Sequence, residues 1–266
     1  MNFFAAEGPH VSIVADRLFT IAGVPITNSM ILGILATATL IIVAVMLARA
    51  VASGSTSRFA LAGQWLYEAL YKMTNDVIGD DKLTRQVAPL ALAIFFGVLI
   101  NNWFGVLPGV GSITYNEAPL FRGLAADLNF TFALAVVTMV AVQIYAVKQH
   151  GFFGNASRYL VNPLKNPVGA FEGILEFVGE FSRFVALSMR LFGNVFGGEV
   201  LLSVISFLSG WAGFLPLPIF MGFELFVGAL QAFVFYMLTI IFISLAVSHG
   251  HGGEHEKHGE EQPAKA

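Results

Sequence analysis

The segment GEFSRFVALSMRLFGNVFGGE, residues 179–199, places Glu180, Arg183, Arg190 and Glu199 inside an otherwise apolar stretch. Glu172 and Glu176 lie just upstream, and a second apolar stretch near the C-terminus carries Glu224 and Gln231. A carboxylate can take up a proton or hold a cation, whereas a guanidinium keeps its charge and can only donate hydrogen bonds, attract or repel. The chemistry open to such a set is the movement of ions. Bond-making chemistry lacks its parts, because the chain has no cysteine and its apolar stretches hold no histidine. No HExxH pair, phosphate-cradling glycine loop or dinucleotide fingerprint occurs either.

Helical geometry sorts these charges. At about 100° per residue, Glu172, Glu176, Glu180, Arg183 and Arg190 fall within a sector of roughly 80°. The first four read as a charged stripe near the cytoplasmic edge of the membrane that pairs with itself, Arg183 with Glu176 or with Glu180 at i,i+3. Arg190 stands apart, with no acid at positions 186, 187, 193 or 194. A lone arginine deep in a bilayer costs from ~2.5 to more than 10 kcal/mol, so its partner must come from elsewhere. Glu199 lies half a turn away in azimuth and roughly 13 Å along the axis, on the opposite face. Antiparallel packing of the last two helices is expected to bring Glu224 near Glu199, in one polar pocket, and Gln231 near Arg190.

The elements that must hold these residues follow from composition and hydropathy. The 266 residues are 56% hydrophobic and 12% charged, with a mean hydropathy of +0.75, against about 25% charged in soluble domains. The reading is an all-α polytopic membrane protein. Three upright transmembrane helices are expected at about 29–49, 87–107 and 127–148. An amphipathic interfacial helix at 58–79 sets Trp65, Leu66, Leu70 and Met73 against Gln64, Glu68 and Lys72. From 167 to 208 there is no room for two spans and a loop. One helix of that length measures roughly 60 Å, twice a hydrocarbon core of ~30 Å. It and its successor at 215–248 are therefore expected as a pair of long, strongly tilted antiparallel membrane helices. The alternative is a break at Gly193 or at Gly197-Gly198, since each glycine costs a helix roughly 1 kcal/mol. Residues 1–248 form a single membrane domain, and 249–266 a His/Glu-rich, disordered cytoplasmic tail whose glycines argue against a rigid metal site.

Orientation follows from lysine and arginine. Segments 51–86 and 148–166 carry seven of them, the opposite side only Arg17 and Arg122. The positive-inside rule puts the N-terminus outside. The first 28 residues lack a basic segment followed by a short apolar run and a cleavage site, so the first span is expected to direct insertion itself. A net charge of −3 without a basic patch gives no reason to expect nucleic acid as a partner.

The segment SMRLFGNVFGGE resembles the signature of subunit a of F-type ATP synthases, the membrane stator beside the rotating ring of c subunits. NNWFGVLPG, DLNFTFALA and ALQAFVFYMLTIIFISLA are similar to that family too. The resemblance implies that Arg190 is the essential ion-translocation charge and that Asn194, Glu199, Glu224 and Gln231 line the ion path. It implies further that Glu176 lies towards the cytoplasmic half-channel, with Asn102 and Asp127 as candidate polar groups of an access channel. No catalytic site, cofactor or metal is implied. The implied partners are the c-subunit ring, the b-subunit peripheral stalk, the rest of the ATP synthase and the lipid bilayer. With no targeting presequence evident, a bacterial plasma (inner) membrane is expected, an organelle-encoded copy being the alternative. The implied function is coupling of proton flow, or sodium flow, to c-ring rotation and so to ATP synthesis.

Two other classes compete with this one. An independent ion-coupled secondary transporter would share the intramembrane charges but should show internal repeats and broken helices. An intramembrane enzyme would need a nucleophile with its base or a metal triad. The topology is directly testable because the chain has no native cysteine. With Ser157→Cys, an impermeant thiol reagent should label only after the membrane is opened; labelling from outside intact cells would reverse the orientation.

Overall fold

The computed structural model describes residues 12–21, 23–54, 56–110, 113–115, 118–159 and 167–248. The expected tail at 249–266 lies outside them. Six helices account for most of the described chain: α1 (Asn28–Ala52), α2 (Arg58–Ile78), α3 (Asp81–Gly105), α4 (Leu128–Tyr159), α5 (Pro167–Ser209) and α6 (Pro216–Ser248). All of these but α2 include a segment long and apolar enough to cross a membrane. The chain is an all-α polytopic membrane protein.

Among the described residues, β structure is confined to two short antiparallel hairpins. β1 (Arg17–Ile21) pairs with β2 (Val24–Thr27), and β3 (Thr114–Tyr115) with β4 (Ala118–Pro119). The first turns at Gly23, whose φ of +84° suits glycine alone. It leads directly into α1, whose N-cap Thr27 accepts a hydrogen bond from the Met30 amide.

Two helix ends differ from the sequence reading for local reasons. α3 begins at Asp81 rather than near 87, because α2 closes on the left-handed Gly79 and Asp80 at once caps the next helix through the Lys82 amide. The polar turn at 81–86 is thus helical. α4 passes its expected end at 148 and reaches Tyr159, bent at Gly151 (φ +74°, ψ 166°). His150, just before the bend, meets the Val247 carbonyl of α6 at 2.8 Å.

α6 is the centre of the bundle, packed against α2, α3, α4 and α5. Phe235, Tyr236, Ile240 and Ile243 are fully buried on it, facing Val87, Ala91 and Phe95 of α3 and Leu187 and Leu191 of α5. α5 runs unbroken for 43 residues, about 64 Å.

α2 divides its apolar side. Leu66, Leu70, Thr74 and Val77 turn to the bundle, whereas Trp65, Ala62, Ala69 and Met73 stay exposed beside them. The dock is polar at its centre. The Tyr236 hydroxyl donates to the Leu70 carbonyl at 2.7 Å and lies 2.6 Å from the Thr74 hydroxyl. A net hydrogen bond in such a setting is worth about 1 kcal/mol. Tyr236→Phe should therefore speed amide hydrogen exchange in 58–78 about fivefold, by local opening, while α3 keeps its protection. Unchanged exchange in α2 would mean that apolar packing alone holds it.

Candidate functional site

α5 has two unlike faces. Leu187, Ser188 and Leu191 are buried, and the Ser188 hydroxyl donates to the Thr131 carbonyl of α4 at 3.3 Å. On the other side Ala186, Met189, Arg190, Gly193, Asn194 and Gly197 are exposed. A Cβ placed on Gly193 or Gly197 would meet nothing within 4 Å. Arg190 therefore stands on an open, shallow face of the bundle. Among the described residues it has no ion-pair partner.

One turn further along, the Asn194 amide donates to Gln231 Oε1 of α6 at 2.7 Å. Gln231 is buried, and its Nε2 has no protein partner. On the same face of α6, two turns before Gln231, Glu224 is buried with its carboxylate pressed against Gly198. A Cβ at Gly198 would overlap that carboxylate, so only glycine leaves it room. Asn102 of α3 lies across from the same helix, donating to the Gly228 carbonyl at 3.2 Å. The Oδ1 atoms of Asn101 and Asn102 are buried without a protein partner.

Glu199 does not share a site with Glu224 in the way the helical geometry suggested. Glu224 reaches the backbone one residue before Glu199, but the Glu199 side chain turns to Arg122. Arg122 Nε donates to Glu199 Oε2 at 3.3 Å, and the other guanidinium nitrogens donate to the carbonyls of Val14 (3.0 Å) and Ser12 (2.6 Å). Arg122 is buried and lies 5.9 Å from the centre of the Phe196 ring. It is the functional candidate that the sequence reading passed over as a mere loop charge. The signal available was its apolar setting, between Leu120-Phe121 and Leu124.

Asp127 is drawn into local structure. It accepts from the Ser29 hydroxyl of α1 at 3.1 Å and caps α4 by accepting from the Asn129 amide at 3.0 Å. Towards the start of α5, Glu176, Glu180 and Arg183 line a cavity of about 260 Å³ with Phe242 and Leu245 of α6. Gln143 of α4 donates to Glu180 at 2.9 Å, and the Arg183 guanidinium lies 5.4 Å from the Phe242 ring centre. These contacts come from neighbouring helices, where sequence spacing had offered only partners on α5 itself.

The polar residues thus form two groups joined by Arg190's face: Asn194, Gln231, Glu224 and Glu199 beyond it, and the Glu176 cavity before it. Residues 30–244 match the family described as ATP synthase A chain. The chain belongs to that family. It is 31% identical over 202 residues to ATP synthase subunit a of Acidothermus cellulolyticus, covering 74% of this chain and 69% of the relative. It is 35% identical over 193 residues to the subunit a of Mycobacterium tuberculosis, covering 69% and 73%. With the subunit a of Mycobacterium ulcerans it shares 35% over 167 residues, covering 62% and 65%. The chain spans about two thirds of the length of such relatives. These relatives are by name one subunit of an ATP synthase, and as a member of their family the chain is a membrane subunit rather than a catalyst in its own right.

Within this subunit the Gly198–Glu224 contact is a tight point of the α5–α6 seam. Gly198→Ala should push Glu224 out of place and lower stability by about 1–3 kcal/mol, as overpacking does. Gly179→Ala, where a Cβ meets nothing within 4 Å, should be neutral. Comparing the thermal midpoints of the two purified variants checks this; equal midpoints would mean that Glu224 moves aside freely.

Proposed function

We propose that this chain is the ion-translocating stator subunit of an F-type ATP synthase, working beside a c-subunit ring and a b-subunit peripheral stalk in a bacterial plasma membrane. The observation that carries the reading is Arg190, a permanent charge on an open face of a membrane helix with no ion-pair partner among the described residues. Such a charge is tolerable in a bilayer only if another molecule answers it. The exposed Ala186, Gly193 and Gly197 beside it allow a partner helix to approach closely.

The mechanism is electrostatic. A ring carboxylate is charged while it faces Arg190 and neutral while it travels through lipid. Ions arrive by one aqueous half-channel, are carried round on the ring and leave by the other. Glu199, Glu224, Gln231 and Asn194, with Asn102 and Asp127 towards the access side, belong to the outer half-channel in this reading, and Glu176 to the cytoplasmic one. Buried amide atoms without protein partners, Asn101 Oδ1, Asn102 Oδ1 and Gln231 Nε2, support a wet path, since water can satisfy them. Because a guanidinium does not give up its proton, Arg190 blocks the short cut between the half-channels. A membrane potential supplies about 2.3 kcal/mol per charge per 100 mV, so several ions combine to drive one phosphorylation. The transported ion is the proton, with sodium the alternative. In this reading the N-terminus is outside, α5 and α6 lie steeply tilted, and α2 lies at the cytoplasmic surface. The unbroken course of α5 and α6 speaks against the secondary transporter, whose sites form at broken helices.

Arg190→Ala should abolish ATP synthesis while the complex still assembles, and membranes stripped of the catalytic headpiece should leak ions faster. Arg190→Lys should rescue little, because an ammonium lacks the planar fork and can deprotonate when buried. Assembly, synthesis and passive flux are measured on the same membranes. Near-normal synthesis by the Arg190→Ala complex would end this reading.

A further inference from the structure

Arg122 joins three parts of the chain that are remote in sequence. It stands in the loop before α4, its Nε holds Glu199 of α5, and its two terminal nitrogens hold the carbonyls of Ser12 and Val14 ahead of β1. This segment is fixed a second time at its far end. The Asn28 amide donates to the Asp16 carbonyl at 3.1 Å, and Asn28 Nδ2 donates to Asp16 Oδ2 (3.3 Å) and to the Pro119 carbonyl (3.1 Å). The segment so held lines a crevice with Arg122, Glu199 and Ser203. Arg122 is 3% exposed, while the Glu199 side chain is 38% exposed and Val14 72%, so a buried guanidinium makes three charge-assisted hydrogen bonds at the edge of the protein.

We propose that Arg122 is the positioning residue of the outer half-channel: it orients the Glu199 carboxylate and, with the same guanidinium, latches the segment Ser12–Val14 across the crevice beside it. The inference rests on the reading of Glu199 as part of the ion path. The two duties use different nitrogens. Nε faces Glu199, while the terminal nitrogens, which no lysine can duplicate, face the two carbonyls. A lysine supplies a single charged nitrogen whose three N–H groups diverge from one point, so it can meet the carboxylate but cannot also span the two carbonyls. Asp16 is the other charged group lining the crevice, and its own hydrogen bonds to Asn28 keep it on the latched segment. The path to Glu199 is therefore set by a residue outside α5 and α6.

The test uses the assembled synthase in membrane vesicles and a Ser203→Cys reporter, in a subunit with no native cysteine. Ion flux, the amount of assembled complex and the rate of labelling by a membrane-impermeant cationic thiol reagent are measured together. Arg122→Gln should assemble normally, lose about tenfold or more in coupled flux, as when a charged hydrogen bond to a buried group is lost, and label faster at position 203. Arg122→Lys should recover most of the flux yet label as fast as Arg122→Gln. Labelling at the parental rate in both variants would overturn the latch. A loss of flux that merely tracks loss of assembled complex, equal for lysine and glutamine, would overturn the positioning role. Glu199→Gln, run alongside, separates this inference from the reading beneath it. Normal flux in that variant removes Glu199 from the ion path and takes the positioning role with it. Impaired flux there with normal flux in Arg122→Gln overturns the role of Arg122 alone.

Discussion

The cost of an unanswered charge in hydrocarbon organises this molecule. Several charged side chains on α5 have been given an answer from another element. Glu199 has Arg122, Glu180 has Gln143, and Arg183 lies over Phe242. Arg190 is left facing outward from the bundle without an ion-pair partner among the described residues. In a soluble protein such an arginine would be an ordinary surface residue. On a helix of this hydropathy it is an unanswered charge, and in the function proposed here a neighbouring subunit answers it.

The second constraint is backbone proximity. Polar side chains on two long helices can meet only if the helices come close, and bulky residues would hold them apart. Gly198 solves this at one point, where the Glu224 carboxylate takes the place of a Cβ. Gly228 does so at another, with the Asn102 Cβ 3.1 Å from where its own would lie. Both contacts lie on α6, the helix that packs against four others. Rigid positioning of Glu224 and Gln231 thus comes from the same packing that makes the hydrophobic core, and the site has no separate scaffold.

The extracellular-side elements of the topology proposed here are the first hairpin and the loop ahead of α4, whose Ala125 and Ala126 are buried against the bundle. Their order rests on polar bonds: Asn28 to Asp16 and Pro119, Ser29 to Asp127, and Arg122 to Ser12, Val14 and Glu199. Such bonds are directional and individually modest.

Hydropathy and charge spacing in the sequence were enough to find the six helices and the isolation of Arg190 on its own helix, because these depend on residues within a few turns of one another. Gly193, Gly197 and Gly198 left the continuity of α5 open until the structure showed it unbroken. Helix ends at Asp81 and Tyr159 escaped that reading, since capping by Asp80 and a bend at Gly151 override polarity. The hairpin at 17–27 escaped it because strands of four or five residues carry too little periodicity to register beside long apolar spans. What only the tertiary structure decided is which partner each charge takes. Glu199 could pair with any cation brought near it, and the choice of Arg122, 77 positions away, over a pocket shared with Glu224 depends on how the loop before α4 folds over the end of α5. Pairing of that kind is set by three-dimensional packing between remote segments, and local spacing carries no record of it.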